Sequence, residues 1–495
     1  MQIYRIFFRY MVIFTYFSLF SFLYFDFQIL YFKFDFLNRI ILVNTEYLLH
    51  YIWKFKLYNP DSLRTENGTL IEVLDPGLHN EDAGPDFFNA KIKVNNTVWA
   101  GNIEIHNTSR DWYRHGHDQD KAYNSVILHL SEAINGVVIN ESGQEVPQCA
   151  IKISEPLRKS SEYLLFSKCR IPCKNFLSYL SGPTLNGWLI CLALERLERK
   201  TNDINQHLKH FNNSWDEVFY VMLTRNFGFG INSDEFERLA LSLPFNIILK
   251  HGDNLFQVEA LMFGQAGYLE IENCLNQDYS NNQRKQESIL SASSGKQLNE
   301  DVVDDYYYRM QKEYAFLKAK YKLKSPDSKT IRKLRVRPTS FPELRIAQLA
   351  SLLQKSGRLF STFLEKEDYN QIISHFMTEP SEYWQTHYSF GKRSGKSSKI
   401  LGKSSVDVLI INTVAPILFA YGKKTFIEDY CQRAENLLES MKPEKNSIIR
   451  EFGEAGVIPK NAMESQALIQ LKKEYCDKRK CLYCRIGHKL LSNSR

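Results

Sequence analysis

The stretch GPDFFNAKIKVNNTVWAGNIEIH, from Gly84 to His106, decides the fold of the N-terminal part of this chain. Two runs rich in β-branched and aromatic residues, 87–94 and 98–106, flank Asn95-Asn96. An asparagine pair tolerates the positive φ angles of a tight hairpin turn. Along the second run, polar and apolar residues alternate, as in a half-buried strand. The stretch therefore predicts a two-stranded antiparallel hairpin.

Patterns on both sides extend this hairpin into a small α/β domain. Glu46–Lys56 has the apolar spacing of a helix, and Thr69–Leu74 and Ser125–Leu130 are typical of strands. Ser109 is a candidate N-cap for a short helix after the hairpin, and Gly136–Ile153 predicts one more hairpin. The resulting order is αβββαβ with an added β edge.

After about Ser154, strand patterns give way to helical ones. Two polar stretches, 281–299 and 390–405, are predicted to be loops. The second contains GKRSGKS at 391–397, where the glycine spacing is one residue too short for a phosphate-binding P-loop and no clear strand precedes it. Five segments carry helical periodicity: Leu189–Leu197, Trp215–Leu223, Phe236–Leu243, Val302–Tyr321 and Leu344–Leu353.

Length and composition fit a folded protein of more than one domain. The chain has 495 residues, of which 44% are hydrophobic and 24% are charged, both ordinary values for globular proteins. We predict an α+β protein with a small αβββαβ-type domain at 43–155, a mostly α-helical domain at 156–470 and a basic, cysteine-containing tail at 471–495.

Residues 1–42 are dominated by Phe, Tyr, Ile and Leu. The continuous apolar part, Met11–Phe25, is shorter than the roughly 20 residues of a membrane helix, and no small-residue cleavage site follows it. We expect a misassigned start, with the protein beginning near Thr45; a hydrophobic membrane anchor is the alternative. Nine cysteines over this length do not indicate a disulfide-dense secreted protein, so we predict a cytoplasmic protein without a membrane partner.

Acidic and histidine side chains are concentrated in the predicted α/β domain. Five of the twelve histidines lie between His79 and His129. Asn102, Glu104 and His106 share one face of a strand, and Asp86 can lie beside Glu104 across the hairpin. Two carboxylates on neighbouring strands are suitable ligands for Mg²⁺ or Mn²⁺.

These residues resemble the restriction-endonuclease-like superfamily, whose core is αβββαβ and whose motif is PD followed by (D/E)xK. Pro85-Asp86 matches its first half, and Glu104-Ile105-His106 matches the second half except at the last position. The resemblance implies that Asp86 and Glu104 bind the metal and that Glu46 on the first helix joins the site. His106 replaces the lysine, so a mostly neutral imidazole stands in the position of a permanent charge.

Other interpretations of the same segment stay open. Asp111 and His115 stand four residues apart and share a face on a helix, whereas His115 and His117 share a face only on an extended chain. These residues are candidates for a second metal site, which would suit a hydrolase of small molecules. His129 lies in an apolar strand and is predicted to be a hydrogen-bonded core histidine.

The predicted tail has the spacing of a metal-binding cluster, Cys476-x4-Cys481-x2-Cys484-x3-His488. Three thiolates and an imidazole suit Zn²⁺. Alternatively, Cys173 completes a four-cysteine iron–sulfur site. Between Leu471 and Arg495 there are eight Lys/Arg and two Asp/Glu, a charge balance that suits DNA, RNA or another polyanion.

From about residue 43 to the end, the chain resembles an uncharacterised bacterial family, known mainly from Bacteroidetes and catalogued as a domain of unknown function. The resemblance implies a cytosolic bacterial protein and no particular activity. Its stretches here are HYIWKFKLYNP, DAGPDFFNAKI, WAGNIEIH, NFGFGIN, DNLFQVEALMFGQAG, RIAQLASLL and CLYCRIGHKLL.

Taken together, the residues predict a Mg²⁺- or Mn²⁺-dependent nuclease or phosphodiesterase acting on nucleic acid. Asp86 and Glu104 bind the metal, His106 orients water or stabilises charge, and Asn102 or Glu46 assists. The alternative is a non-catalytic module that binds nucleic acid or protein and contains a structural Zn²⁺ or iron–sulfur site.

Overall fold

The computed structural model describes residues 45–269, 304–324, 331–333, 337–365 and 368–493. The chain divides into two compact units. As far as they are described, unit 1 combines residues up to Leu180 with those from Glu474 onward, and unit 2 comprises Ser181–Lys473. The predictions for residues 1–42 and for the loop at 281–299 lie outside the described residues.

Unit 1 contains the predicted mixed sheet, in the strand order β1-β3-β4-β5-β6, with β2 paired to β3. The pairs β1/β3, β2/β3 and β3/β4 are antiparallel, whereas β4/β5 and β5/β6 are parallel. Its elements up to residue 180 are α1 (45–54), β1 (Ile71–Asp75), β2 (Leu78–His79), β3 (Phe87–Val94), β4 (Thr97–Thr108), α2 (Asp111–Arg114), β5 (Val126–Ala133), β6 (Gln148–Ala150) and α3 (Glu155–Phe166).

The hairpin predicted from Gly84–His106 is confirmed. Asn95 and Asn96 have φ angles of 49° and 67°, as a tight turn between right-twisted strands requires. Ile103 and Ile105 are fully buried and form the apolar face of β4. A bulge in β3, where Asn89 has a φ of 56°, shifts the pairing register between Phe87 and Ala90, and a bulge of this kind re-aims the side chains beside it.

One local prediction in unit 1 is wrong, and another is confirmed only in part. Ser109 does not cap α2, because its hydroxyl donates to Gln148 Oε1 at 2.5 Å and Arg110 occupies the N-cap position without a side-chain bond. The region 136–153 turns back on itself through one antiparallel bridge, Ile139 with Glu145, and Gln148–Ala150 then pairs in parallel with β5. Cys149 also forms an antiparallel bridge with Thr65. The chain thus returns to the sheet edge instead of closing a regular hairpin.

Unit 2 is a helical bundle. The described residues of the five predicted helical segments lie in helices or at their caps. Among its described residues, strands are confined to the short pair β7 (His387–Ser389) and β8 (Lys392–Arg393). Of these two strands, β8 lies in the stretch 390–405 predicted as a loop. The helices are α4 (Gly182–His210), α5 (Trp215–Phe227), α6 (Ser233–Ser242), α7 (Phe245–Leu249), α8 (Leu255–Gln265), α9 (Asp305–Tyr321), α10 (Pro342–Lys355), α11 (Leu359–Glu365), α12 (Tyr369–Phe376), α13 (Glu382–Gln385), α14 (Lys403–Leu409), α15 (Ala415–Thr425), α16 (Glu428–Ser440), α17 (Ser447–Glu454) and α18 (Ala462–Gln470).

A π-helical turn at Ile410–Val414 joins α14 to α15 into one continuous helix, Lys403–Thr425. This helix is long and apolar enough to cross a membrane, but 72% of its most apolar window is buried in the structure. Burial of that extent is what the central helix of a packed bundle requires.

The C-terminal segment from Glu474 onward lies in unit 1 with the sheet. It contains a last helix, α19 (Arg485–Ser492). Tyr51 Oη of α1 lies 2.6 Å from His488 Nδ1, and the His488 ring lies 4.5 Å from that of Phe55. These contacts pack α19 against α1. The α+β class, with a mixed sheet followed by a large helical domain, is confirmed.

Candidate metal centre

Three imidazoles converge at the end of β4. One ring nitrogen from each of His106, His115 and His117 lies within 4.8 Å of the other two. His106 Nε2 is 3.1 Å from His115 Nδ1. Among the described residues, this is the one group of three His, Cys, Asp or Glu ligand atoms that approach so closely.

Glu104 adds a carboxylate to the three imidazoles. Its Oε1 lies 3.1 Å from His117 Nε2 and 3.4 Å from His106 Nε2. Zinc binds nitrogen and oxygen at about 2.0–2.1 Å, so neighbouring ligands around a tetrahedral ion stand about 3.3 Å apart. Three of the six separations among these ligand atoms, 3.1 Å, 3.1 Å and 3.4 Å, are close to that edge length.

Local backbone geometry explains the convergence. Glu104 and His106 alternate with Ile103 and Ile105 along β4, so that both polar side chains lie on the opposite face from the isoleucines. His115 follows the last turn of α2, and Gly116 has a φ of 77°. This left-handed glycine reverses the chain direction within one residue, which lets His115 and His117 both approach His106.

The trio is supported by a deeper layer of contacts. His106 Nδ1 lies 2.8 Å from Nε2 of His129, a fully buried residue of β5. His117 stacks on the ring of Tyr123 at 3.8 Å, and its ring meets that of Trp112 edge-on at 5.4 Å. A metal-ligating histidine typically uses its second ring nitrogen for such an orienting hydrogen bond. His129 is thus a hydrogen-bonded core histidine, as predicted.

Electrostatics favour neutral imidazoles at this position. Burial, followed by the neighbouring imidazoles His129 and His117, lowers the pKa of His106 far below its ordinary value. Burial also lowers the pKa values of His115 and His117. A neutral imidazole is the form that binds a metal. The side chains are therefore ready ligands near neutral pH.

Asp86 lies next to Glu104, as predicted from the hairpin. The Asp86 backbone N–H donates to Glu104 Oε2 at 3.1 Å, and the Ile105 N–H donates to Asp86 Oδ2 at 2.9 Å. Burial, and then the negative charge of Asp86, raise the pKa of Glu104 well above its ordinary value. A bound cation would offset both the burial and the charge of Asp86 and would thereby lower the pKa of Glu104. Two neighbouring carboxylates are therefore more easily ionised together when a cation is present.

Helix α1 brings two more titratable groups to this carboxylate pair. His50 Nε2 lies 3.2 Å from Asp86 Oδ2. Burial acts to lower the pKa of His50, but the hydrogen bond and charge of Asp86 outweigh it and the pKa is raised. Glu46 precedes His50 by one helical turn, and burial raises its pKa, with a further upward contribution from Asp86. Sequence analysis named Glu46 and missed His50.

Asn102 has contacts elsewhere. Its Oδ1 accepts from the Asn89 N–H at 3.1 Å, and its Nδ2 donates to Ser125 Oγ at 2.8 Å. The β4/β5 register shifts between Asn102 and Ile103. Asn102 thus ties the β3 bulge to the start of β5, whereas Asp86 and His106 both lie next to Glu104.

The C-terminal cysteines lie in unit 1 together with Cys173. Burial, followed by the neighbouring Cys484, raises the pKa values of the Cys173 and Cys481 thiols to about 12. Cys476 is also buried. His488 contacts Tyr51 instead, through the 2.6 Å contact described above. The Zn²⁺ or iron–sulfur site at Cys173, Cys476, Cys481, Cys484 and His488 stays a prediction.

The fold and the site define a two-unit α+β protein with a histidine–carboxylate cluster at one end of a mixed sheet. A family model described as a protein of unknown function (DUF2851) matches residues 46–447, and the chain belongs to this family. This confirms the whole-chain resemblance; the likeness to the PD-(D/E)xK superfamily stays a prediction. The comparisons with curated proteins and with solved structures gave no match.

Proposed function

We propose that unit 1 is a metal-dependent hydrolase that cleaves phosphodiester bonds. His106, His115 and His117 hold the metal, and Glu104 lies beside the fourth position, where a water molecule would bind. The observation that carries the proposal is the approach of three imidazole nitrogens to within 4.8 Å of one another, beside a buried carboxylate at 3.1 Å and 3.4 Å from two of them.

A divalent ion at this position supplies a hydroxide near neutral pH and stabilises negative charge on a phosphoryl oxygen. Three histidines with one exchangeable position are a ligand set found in catalytic zinc sites. The donor set therefore favours Zn²⁺ or another transition metal over Mg²⁺, which prefers oxygen ligands. Mn²⁺ is compatible with both kinds of ligand.

His50 and Asp86 form a candidate proton-transfer pair beside the metal ligands. Asp86 holds His50 Nε2 and raises its pKa, so that His50 carries a proton at higher pH than an isolated imidazole. His50 Nδ1 is buried and has no hydrogen-bond partner among the described residues. An imidazole paired with a carboxylate in this way is suited to exchange a proton with that carboxylate beside the metal ligands.

Positive charge near α1 supports a polyanionic substrate. Helix α19 packs on α1 through His488, and it carries Arg485 and Lys489, both of which are exposed. These cations lie one helix away from the helix that presents Glu46 and His50. Exposed Arg and Lys near a metal centre favour phosphates of a nucleic-acid backbone over neutral substrates.

The first experiment measures metal content. The full-length protein, expressed with trace metals and desalted, is analysed by plasma mass spectrometry. We expect the variant His115→Ala/His117→Ala to contain about one transition-metal ion per chain less than the wild type. His210→Ala, an exposed histidine of unit 2, is the matched control. Unchanged metal content in the double variant would exclude the proposed centre.

The second experiment measures hydrolysis. The substrates are bis(p-nitrophenyl) phosphate and labelled single- and double-stranded DNA and RNA, each with Zn²⁺ or Mn²⁺, and p-nitrophenyl acetate represents small esters. We expect cleavage of the phosphodiesters that disappears in His115→Ala/His117→Ala. Metal bound without cleavage of any substrate would instead favour the non-catalytic binding module, and cleavage of the acetate alone would favour a small-molecule hydrolase.

A further inference from the structure

Unit 2 contains a cavity of about 260 Å³ that the proposed hydrolase does not use. Its apolar wall includes Phe229 and Phe236, and its polar wall includes Arg337, Ser340 and Arg345. Two of the family stretches meet here, because NFGFGIN spans 226–232 and RIAQLASLL begins at Arg345. The cavity is therefore formed by two of the stretches that carry the family resemblance.

Arg345 is a buried cation without a counter-charge. Its side chain is only 8% exposed, and among the described residues no carboxylate lies within ion-pair distance of it. Its hydrogen bonds go to neutral acceptors, namely Gln348 Oε1 at 3.0 Å, Ser405 Oγ at 3.3 Å and Ser340 Oγ at 3.4 Å. Its Nε has no acceptor within the described part of the chain.

Burial lowers the pKa of Arg345 to about 10, so the guanidinium still carries its proton at neutral pH. A buried charge is expensive unless an opposite charge or several hydrogen bonds compensate it. Phe229 compensates in part, since the guanidinium lies 4.4 Å from its ring centroid. The rest of the desolvation cost of the Arg345 charge is uncompensated, and a bound anion would offset it.

The wall that carries Phe229 is held rigidly. Phe229 and Gly230 have φ angles of 44° and 84°, and a Cβ on Gly228 would meet the Asn232 backbone at 2.4 Å. Asn232 in turn bonds both the carbonyl and the N–H of Arg332, at 3.0 Å and 2.8 Å. A preformed wall lowers the ordering cost of binding a small ligand.

We propose that this cavity binds a small organic anion whose carboxylate or phosphate group pairs with Arg345 and whose apolar part packs against Phe229 and Phe236. The Arg345 guanidinium donates to the anion, Ser340 offers a hydroxyl, and Arg337 adds a second cation at the exposed rim. A guanidinium fork suits both carboxylates and phosphates. The site is independent of the metal centre in unit 1.

The test uses the full-length His115→Ala/His117→Ala protein, so that phosphate binding at the proposed metal centre does not contribute. Isothermal titration calorimetry with phenyl phosphate, benzoate and the neutral analogue benzyl alcohol is the measurement. We expect saturable binding of at least one anion, with benzyl alcohol at least about tenfold weaker. Binding of phenyl phosphate alone assigns the site to phosphates, and binding of benzoate alone assigns it to carboxylates.

Arg345→Met retains the length of the side chain and removes its charge, and we expect it to weaken anion binding by about tenfold or more. Arg358→Met, at an exposed arginine of the same unit, should bind like the parent protein. Should Arg345→Met fail to fold, the rim variant Arg337→Met tests the same idea with a smaller expected loss. The proposal is wrong if neither anion binds at millimolar concentration, or if affinity is unchanged in the folded variants at positions 345 and 337.

Discussion

Nδ1 of His106 lies 2.8 Å from Nε2 of His129, and both imidazoles are almost completely buried. The contact fixes which nitrogen of His106 is available to a metal. If Nδ1 carries the proton and donates it to His129, the lone pair of Nε2 points toward His115 and Glu104. His129 is thus a positioning residue for the proposed centre. It acts through the His106 ring and does not itself contact a bound ion.

The first prediction concerns this positioning role. His129→Phe retains the ring shape but removes the acceptor, and it should lower metal affinity about 10–100-fold while the protein stays folded. The measurement is competition for Zn²⁺ with a chromophoric chelator. As a control, His387→Phe removes a buried histidine of unit 2 and should lower thermal stability without changing metal affinity. Equal metal affinity in wild type and His129→Phe would show that the contact only stabilises the core.

The second prediction concerns the Asp86–His50 pair. Asp86 raises the pKa of His50 through a hydrogen bond and charge, so Asp86→Asn should lower that pKa. If protonated His50 is the proton donor, the rate of phosphodiester cleavage falls as the pH rises through the pKa of His50. In Asp86→Asn this fall should therefore begin at a lower pH than in wild type. His50→Gln should lower the maximal rate by about 10²–10⁴-fold, which is typical for loss of a general acid. It should also abolish the fall in rate at alkaline pH.

The control for this pair is metal content, measured in the same preparations. Because neither Asp86 nor His50 belongs to the histidine trio, both variants should retain most of their metal. A pH profile that is identical in wild type and Asp86→Asn would rule out His50 as the group that titrates. Loss of metal in Asp86→Asn would instead make Asp86 a ligand, as the PD-(D/E)xK resemblance implies.

Part of this arrangement could be predicted from the sequence. The hairpin follows from local periodicity and the Asn95-Asn96 turn, and hairpin pairing places Asp86 beside Glu104. Strand alternation places Glu104 and His106 on one face. These relationships involve residues that are close in sequence, so the pattern of a single sequence is sufficient to predict them.

The remaining site residues depend on long-range geometry. The spacing of His115 and His117 indicated a shared face only for an extended chain, because a left-handed φ at Gly116 does not show in polarity patterns. His50 faces Asp86 only because α1 packs against that end of the sheet, and no local pattern specifies this packing. A glycine between two histidines was the available signal, since glycine is the residue that adopts such a turn without strain.

The third prediction follows from that turn. Gly116→Ala places a Cβ on a residue with a φ of 77°, although no atom lies within 4 Å of the added carbon. The expected effect is strain of about 1 kcal/mol and weaker metal binding, because relaxation of the turn moves His115 away from His117. Gly136→Ala is the matched control, at another open position but without a left-handed φ. Urea unfolding and zinc competition check both, and equal behaviour of the two variants would show that the turn does not set the metal site.

The fourth prediction concerns Glu259 of α8 in unit 2. Its side chain is fully buried and accepts hydrogen bonds from Tyr306 Oη and, at 2.9 Å, from Ser381 Oγ. Burial raises the pKa of Glu259 to about 7, against the lowering effect of these hydrogen bonds. The folded protein therefore retains a proton on this carboxyl at a pH where the unfolded chain has lost it.

The sign of the pH dependence follows directly. The stabilising contribution of protonated Glu259 is fully present below the unfolded pKa of about 4.5 and is lost as the pH rises through about 7. The difference corresponds to roughly 3 kcal/mol. Glu259→Gln replaces the carboxyl with a permanently neutral amide, so unfolding free energies of variant and wild type should converge near pH 4 and diverge in favour of the variant near pH 8.

The measurement uses chelator-treated protein, because removal of bound metal eliminates any contribution of metal binding in unit 1 to the free energy of unfolding. Urea unfolding followed by circular dichroism gives the free energy at each pH. Glu382→Gln, at an exposed glutamate of the same unit, should leave the pH dependence unchanged. If Glu259→Gln is less stable than wild type at pH 8, the carboxylate is held by compensating interactions stronger than its burial penalty, and Glu259 is then ionised in the folded protein.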